Sequence, residues 1–312
     1  MENKIGDAIN SEGFLFQKYC VEKIKLAGWT IDSEEYPISE NESFDIKVSN
    51  AVDVARALAV VECKRQDPQR KRWIFFKSEA LSPKSNPFSV MVHCLYILEG
   101  MSRKAEVMRG VMEGVNEKIL ESPLCHTTAV EVYKDPKKRD SWQTNTEVIY
   151  KASLKVAKGV DYLFHSEAEN IQFLIKYGLK RLEKERTTLG YQYYTNEEII
   201  PVIITSAPLL SVSFKPEQMN TDTFKVAFEN LDTEQCKWLV YEFPLPIELR
   251  RESKFFRRIS EDNRYAKMHI FMVNANWIKD FFIALIESIQ KNGGEQGRVV
   301  SPQFSDIYKP IK

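Results

Sequence analysis

Glu62-Cys63-Lys64 closes the apolar run Leu58-Ala59-Val60-Val61. On a strand, an acid and a lysine two residues apart project from the same face. A carboxylate holds a hard cation through oxygen, while the neighbouring ammonium can touch an attacking water or a phosphate oxygen. A second short strand upstream, Ser43-Phe44-Asp45-Ile46-Lys47-Val48, carries its own acid. Together these residues suit Mg²⁺-assisted hydrolysis of a phosphodiester.

The two segments read as an antiparallel hairpin, Phe44–Val48 against Leu58–Lys64, joined by the polar stretch Ser49–Ala57. A symmetric hairpin that pairs Ser49 with Leu58 also sets Asp45 opposite Glu62. Opposed side chains have Cβ atoms about 4.5–5.5 Å apart, where like charges destabilise the pair. A bound divalent cation removes that repulsion, whereas a plain surface hairpin more naturally sets lysine opposite glutamate. Asp53 is an alternative to Asp45, but it falls at the tip of the connection and reads better as a turn residue.

Ser11 to Trp29 precedes the hairpin, with Leu15/Phe16, Tyr19/Cys20, Ile24 and Ala27 at helical spacing and Gly28 as a stop. Trp29-Thr30-Ile31 then begins a strand. The order helix, Gly-aromatic, strand, Asp-bearing strand, E-x-K strand resembles the PD-(D/E)XK, or restriction-endonuclease-like, nuclease superfamily. Asp45…Glu62-Cys63-Lys64 matches its signature, with Phe44 where a proline is usual. The resemblance is good over roughly the first seventy residues and loose beyond them. It implies that Asp45 and Glu62 bind Mg²⁺ (Mn²⁺ substituting), that the Cys63 carbonyl adds a ligand, and that Lys64 orients the attacking water. Relatives often place an acid on the first helix, which points to Glu12, with Gln17 as the competing position. They also place a polar residue on the helix after E-x-K, for which Gln143 and Lys151 are the candidates.

The chain of 312 residues carries 44 Lys/Arg and 44 Asp/Glu, so its formal net charge is zero. The total does not mark a nucleic-acid binder, but phosphate contacts depend on local cations. Arg65, Arg70, Lys71 and Arg72 follow the E-x-K motif directly and form the candidate nucleic-acid-binding cluster. Lys134–Arg139 reads as a solvated run, and Arg250–Arg258 as a basic helical face. Five scattered cysteines without a C-x-x-C pair favour a reducing cytoplasm and argue against structural zinc, Cys125-His126 included. No signal peptide or membrane span is read at the N-terminus or elsewhere, so the expected location is cytoplasmic, with no membrane partner. P-loop and dinucleotide-binding glycine patterns are absent from the sequence.

The expected fold class is α/β: a restriction-endonuclease-like core with a central mixed sheet flanked by helices. One elaborated nuclease domain, 1–312, is expected to comprise a core (1–70 and 140–215), a helical insertion (71–139) and a C-terminal extension (216–312). Phe88–Leu98 and Arg103–Leu120 read as the insertion's helices, with His93 as a core histidine. A short helix is read at Lys77–Ser82, a strand at Thr127–Tyr133, and helices at Trp142–Lys158, Ser166–Lys184 and Trp277–Gln290. Thr195–Glu198 reads as a helix start. Strands are expected at Ile199–Thr205, Leu209–Phe214, Trp238–Phe243 and His269–Val273.

The resemblance implies a metal-dependent nuclease acting on DNA, in a prokaryotic restriction, antiphage-defence or repair setting. Its expected partners are DNA and either an identical subunit or a larger defence complex that it serves as effector. Three alternatives stay open: a non-catalytic nucleic-acid-binding or assembly subunit on the same fold, a nuclease acting on RNA, and a sensor whose insertion and Arg250–Arg258 bind a nucleotide signal.

Overall fold

In the computed structural model, residues 13–52, 55–77, 87–99, 102–113, 126–135, 141–163, 194–252 and 267–296 are described. Helix α1 (Phe14–Lys25) leads into β1 (Thr30–Ser39) and β2 (Glu42–Val52), then β3 (Ala55–Lys64) and β4 (Lys71–Lys77). β5 (Pro87–Glu99) and β6 (Ser102–Glu113) form a hairpin, followed by β7 (His126–Lys134) and β8 (Trp142–Asn145). Helix α2 covers 147–163. β9 (Tyr194–Thr205), β10 (Leu209–Ser213), β11 (Asp232–Cys236) and β12 (Trp238–Pro244) come next. Short α3 (Ile247–Glu252), β13 (Lys267–Asn274) and α4 (Ile278–Gln296) complete the described elements.

All the strands join one mixed sheet, whose main path runs β1-β2-β3-β9-β13-β12-β7-β4-β10-β11. The β5–β6 hairpin attaches to the first half of β9, and β8 to β7. β3 is an interior strand between β2 and β9, and lies parallel to β9 from Ala55↔Asn196 to Lys64↔Thr205. That placement explains its nearly unbroken apolar run, since a strand covered on both faces has no solvent side to supply polar residues. Ala57, Ala59 and Val61 pack with α1 and α4, while Leu58 and Val60 pack with α2.

Helix α1 stops at Gly28, whose φ of 85° places it in the left-handed region that glycine enters without a Cβ penalty. Trp29 then inserts beneath α4, its Nε1 donating to the Phe282 carbonyl at 3.0 Å. Helix α2 approaches the sheet where it has no side chain. A Cβ on Gly159 would lie 2.8 Å from Val60 Cγ1 and 2.9 Å from Phe44 Cδ1.

Several expectations are corrected. The 71–139 segment is not helical where described: Phe88–Leu98 and most of Arg103–Leu120 lie in β5 and β6, and Lys77 ends a strand. Alternating residues of these stretches satisfy either period over short runs, and pairing with β9 decides for the strand. Trp142–Asn145 is a strand, so the following helix begins later than expected. Thr195–Glu198 belongs to β9, its cap-like residues pairing with β3 and β5. The C-terminal region does not merely wrap a core, because β12 and β13 sit inside the sheet between β9 and β7. The helix expected at Ser166–Lys184 lies outside the described residues.

Candidate active site

The β2–β3 ladder runs from Val52↔Ala55 through Ser49↔Leu58 to Ile46↔Val61. This is the register that sets Asp45 against Glu62. The backbone ladder ends there because the face alternation breaks: Phe44 packs on the α2 side and Ile46 on the opposite side. Asp45 fills the break with its own side chain, Oδ2 accepting the Cys63 N–H at 2.6 Å. Its carbonyl accepts from Gln17 Nε2 at 2.9 Å. Gln17 is buried on α1 and therefore pins the backbone that carries Asp45.

Glu62 is fully buried beside this acid. Lys64 Nζ donates to Glu62 Oε1 at 2.5 Å. Lys155, from α2, donates to Asp45 Oδ1 at 3.1 Å and to Glu62 Oε1 at 3.0 Å. It also lies 2.9 Å from Glu62 Oε2, an ion pair without a hydrogen bond. Burial, and then the charge of Asp45, push the Glu62 carboxyl above its usual range, against the opposing pull of Lys64 and Lys155. For Lys155, burial disfavours the ammonium, but the two carboxylates outweigh it and raise its pKa. Burial likewise pushes the Cys63 thiol up, consistent with a backbone rather than a sulfur role for that residue.

Asp45, Glu62 and Lys64 are thus brought together. Glu12 and Asp53 lie outside the described residues. Gln17 reaches Asp45, but through its carbonyl. Neither candidate on the segment after the motif reaches the acids: Gln143 accepts from Tyr133 Oη at 2.8 Å, and Lys151 pairs with Glu147 at 2.7 Å on the surface. Lys155, one turn beyond Lys151, takes that position. Its signal in the sequence is that Ala152, Val156 and Gly159 flank it on the side of the helix that meets the sheet.

The basic cluster divides. Arg65 and Arg70 are exposed, Arg70 with Asp67 at 3.6 Å. Lys71 turns inward to Glu131 Oε1 at 3.1 Å. Arg72 caps the backbone carbonyls of Pro68 and Lys71. His126 is a core histidine, its Nδ1 3.1 Å from the Val240 carbonyl and its Nε2 2.7 Å from Ser211 Oγ, and burial lowers its pKa to about 4.

Among the described residues no group of three or more His, Cys, Asp or Glu side chains is placed to hold a metal. Mg²⁺ does not require one, because it keeps several waters and is commonly held by one or two carboxylates plus substrate phosphate. Asp45 Oδ1 and Glu62 Oε2 are of the type that ion takes, although Lys155 Nζ lies 3.1 Å and 2.9 Å from them. No family model matches the chain, and neither a curated protein nor a solved structure matches it at a level that shows kinship. No helix among the described residues is long and apolar enough to cross a membrane.

Proposed function

We propose that the chain is a Mg²⁺-dependent nuclease of PD-(D/E)XK type, hydrolysing DNA phosphodiester bonds. One observation carries this reading: Asp45 and the E-x-K lysine lie against a fully buried Glu62, with Lys64 Nζ donating to Glu62 Oε1 at 2.5 Å and Lys155 pairing with both acids. Burying two carboxylates side by side sets them in mutual repulsion, which a bound divalent cation would relieve. Asp45 and Glu62 would hold the ion, with the Cys63 carbonyl beside them. Bound there, Mg²⁺ would withdraw charge from the phosphate and lower the pKa of coordinated water. Lys64, fixed by its two-residue offset from Glu62, orients the attacking water or steadies charge building on the phosphate. Arg65 and Arg70 hold the nucleic-acid backbone where β3 ends, while Lys71 and Arg72 shape the loop that presents them. RNA would be accepted by the same chemistry. The prokaryotic restriction, antiphage-defence or repair setting, with a homodimer or a larger assembly, follows from the resemblance.

The test is cleavage of supercoiled, linear and single-stranded DNA with Mg²⁺ or Mn²⁺, by wild type and by Lys64→Ala and Glu62→Ala. Metal-dependent cutting that falls at least about a hundredfold in both variants is expected, the scale for losing one charge-stabilising group. Cutting that persists in both would reject the assignment.

A second reading, a non-catalytic nucleic-acid-binding or assembly subunit, draws on a different observation. Lys64 and Lys155 together balance the charges of Asp45 and Glu62, so the four residues also form a neutral ion-pair network. Failure of wild type to bind any divalent ion would favour it.

A further inference from the structure

Lys155 differs from Lys64 in how it is held. Lys64 sits on the same strand as Glu62 and meets only one of its oxygens. Lys155 arrives from a separate element on a long flexible stem and stands between the two acids, 3.1 Å from Asp45 Oδ1 and 2.9 Å from Glu62 Oε2. About a third of its side chain is exposed (32%). With its hydrogen bond to Glu62 Oε1 at 3.0 Å, it contacts oxygens of both acids that a shared divalent ion would draw on. Mg²⁺ takes its ligands at about 2.0–2.1 Å, so an ion bound there would stand within a few ångströms of the ammonium, and the two like charges would repel.

We propose that Lys155 is a resident placeholder cation, which balances the Asp45–Glu62 pair in the metal-free protein and is displaced when a divalent ion binds. This rests on the metal-site reading above. In the metal-free state the ammonium suppresses the carboxylate repulsion that would otherwise spread the β2–β3 junction. Once displaced, it stays tethered one side chain away from the acids, as a second positive group at the rim of the site. The site therefore trades one cation for another instead of being left as two bare acids.

Three predictions separate this from a fixed structural ion pair. Lys155→Gln should bind Mn²⁺ about tenfold more tightly than wild type in calorimetric titration, because the competitor is gone. Lys64→Gln, which also removes one nearby positive charge, should tighten binding distinctly less. An amine-acylating reagent, read by peptide mass spectrometry, should label Lys155 severalfold faster in wild type with Mn²⁺ than in chelator. Equal or weaker Mn²⁺ binding by Lys155→Gln would overturn the placeholder, as would equal tightening by the two variants or labelling indifferent to Mn²⁺. In each of those cases the metal site itself would stand. If wild type binds no Mn²⁺, both the placeholder and the metal-site reading fall.

Discussion

Glu62 on β3 and Glu131 on β7 are both withdrawn from solvent, and each has a lysine within ion-pair distance. Their surroundings differ. Both oxygens of Glu131 are used, by Lys71 Nζ at 3.1 Å and by the Trp73 indole N–H at 3.0 Å. Glu62 shares its space with Asp45, has two lysines around it, and keeps one oxygen without a hydrogen bond. Burial and Asp45 raise the Glu62 carboxyl above its usual range. A buried glutamate is therefore not itself a functional signal. What sets Glu62 apart from Glu131 is the second acid beside it, which raises its carboxyl and calls for a compensating cation.

Alanine at the two positions should act in opposite ways. Glu131→Ala strands the Trp73 N–H in the core and leaves Lys71 without its acid, so a loss of about 3 kcal/mol is expected in denaturant titration. Cleavage per folded molecule should stay near wild type. Glu62→Ala should cost less than about 1 kcal/mol in the metal-free protein, because Lys64 and Lys155 can turn to water and the repulsion with Asp45 disappears. A large stability loss at Glu62 would place it with Glu131 as a structural residue.

A smaller effect is expected at the α2 contact. Gly159→Val should cost about 2 kcal/mol by overpacking against Val60 and Phe44, part of it offset by better helix propensity. It should also lift Lys155 away from both acids. Loss of stability with unchanged reactivity of Lys155 toward acylation would mean that α2 adjusts without moving that lysine.

The β2–β3 register is legible in the sequence because its determinants are local. The pairing of Ser49 with Leu58 fixes the register, and that register sets Asp45 against Glu62, two residues from Lys64. Helix α1 and the buried β9, β12 and β13 strands were readable from period and apolar run. Lys155 was not singled out, because a lysine on a helix has no spacing relation to a strand far away in the chain. Only the close approach at Gly159 selects it over Lys151. β5 and β6 were misread because their residues suit either period over short runs, and only pairing with β9 resolves them. Lys71 and Arg72 appeared as free cations in the sequence, whereas Glu131 and two carbonyls claim them.

The most direct test of the central claim is the anomalous scattering of Mn²⁺ soaked into crystals of the wild-type protein. A peak within bonding distance of both Asp45 and Glu62, and none at Glu131, is the predicted result. No peak at the Asp45–Glu62 pair under saturating Mn²⁺ would contradict it and leave the four residues as an ion-pair network.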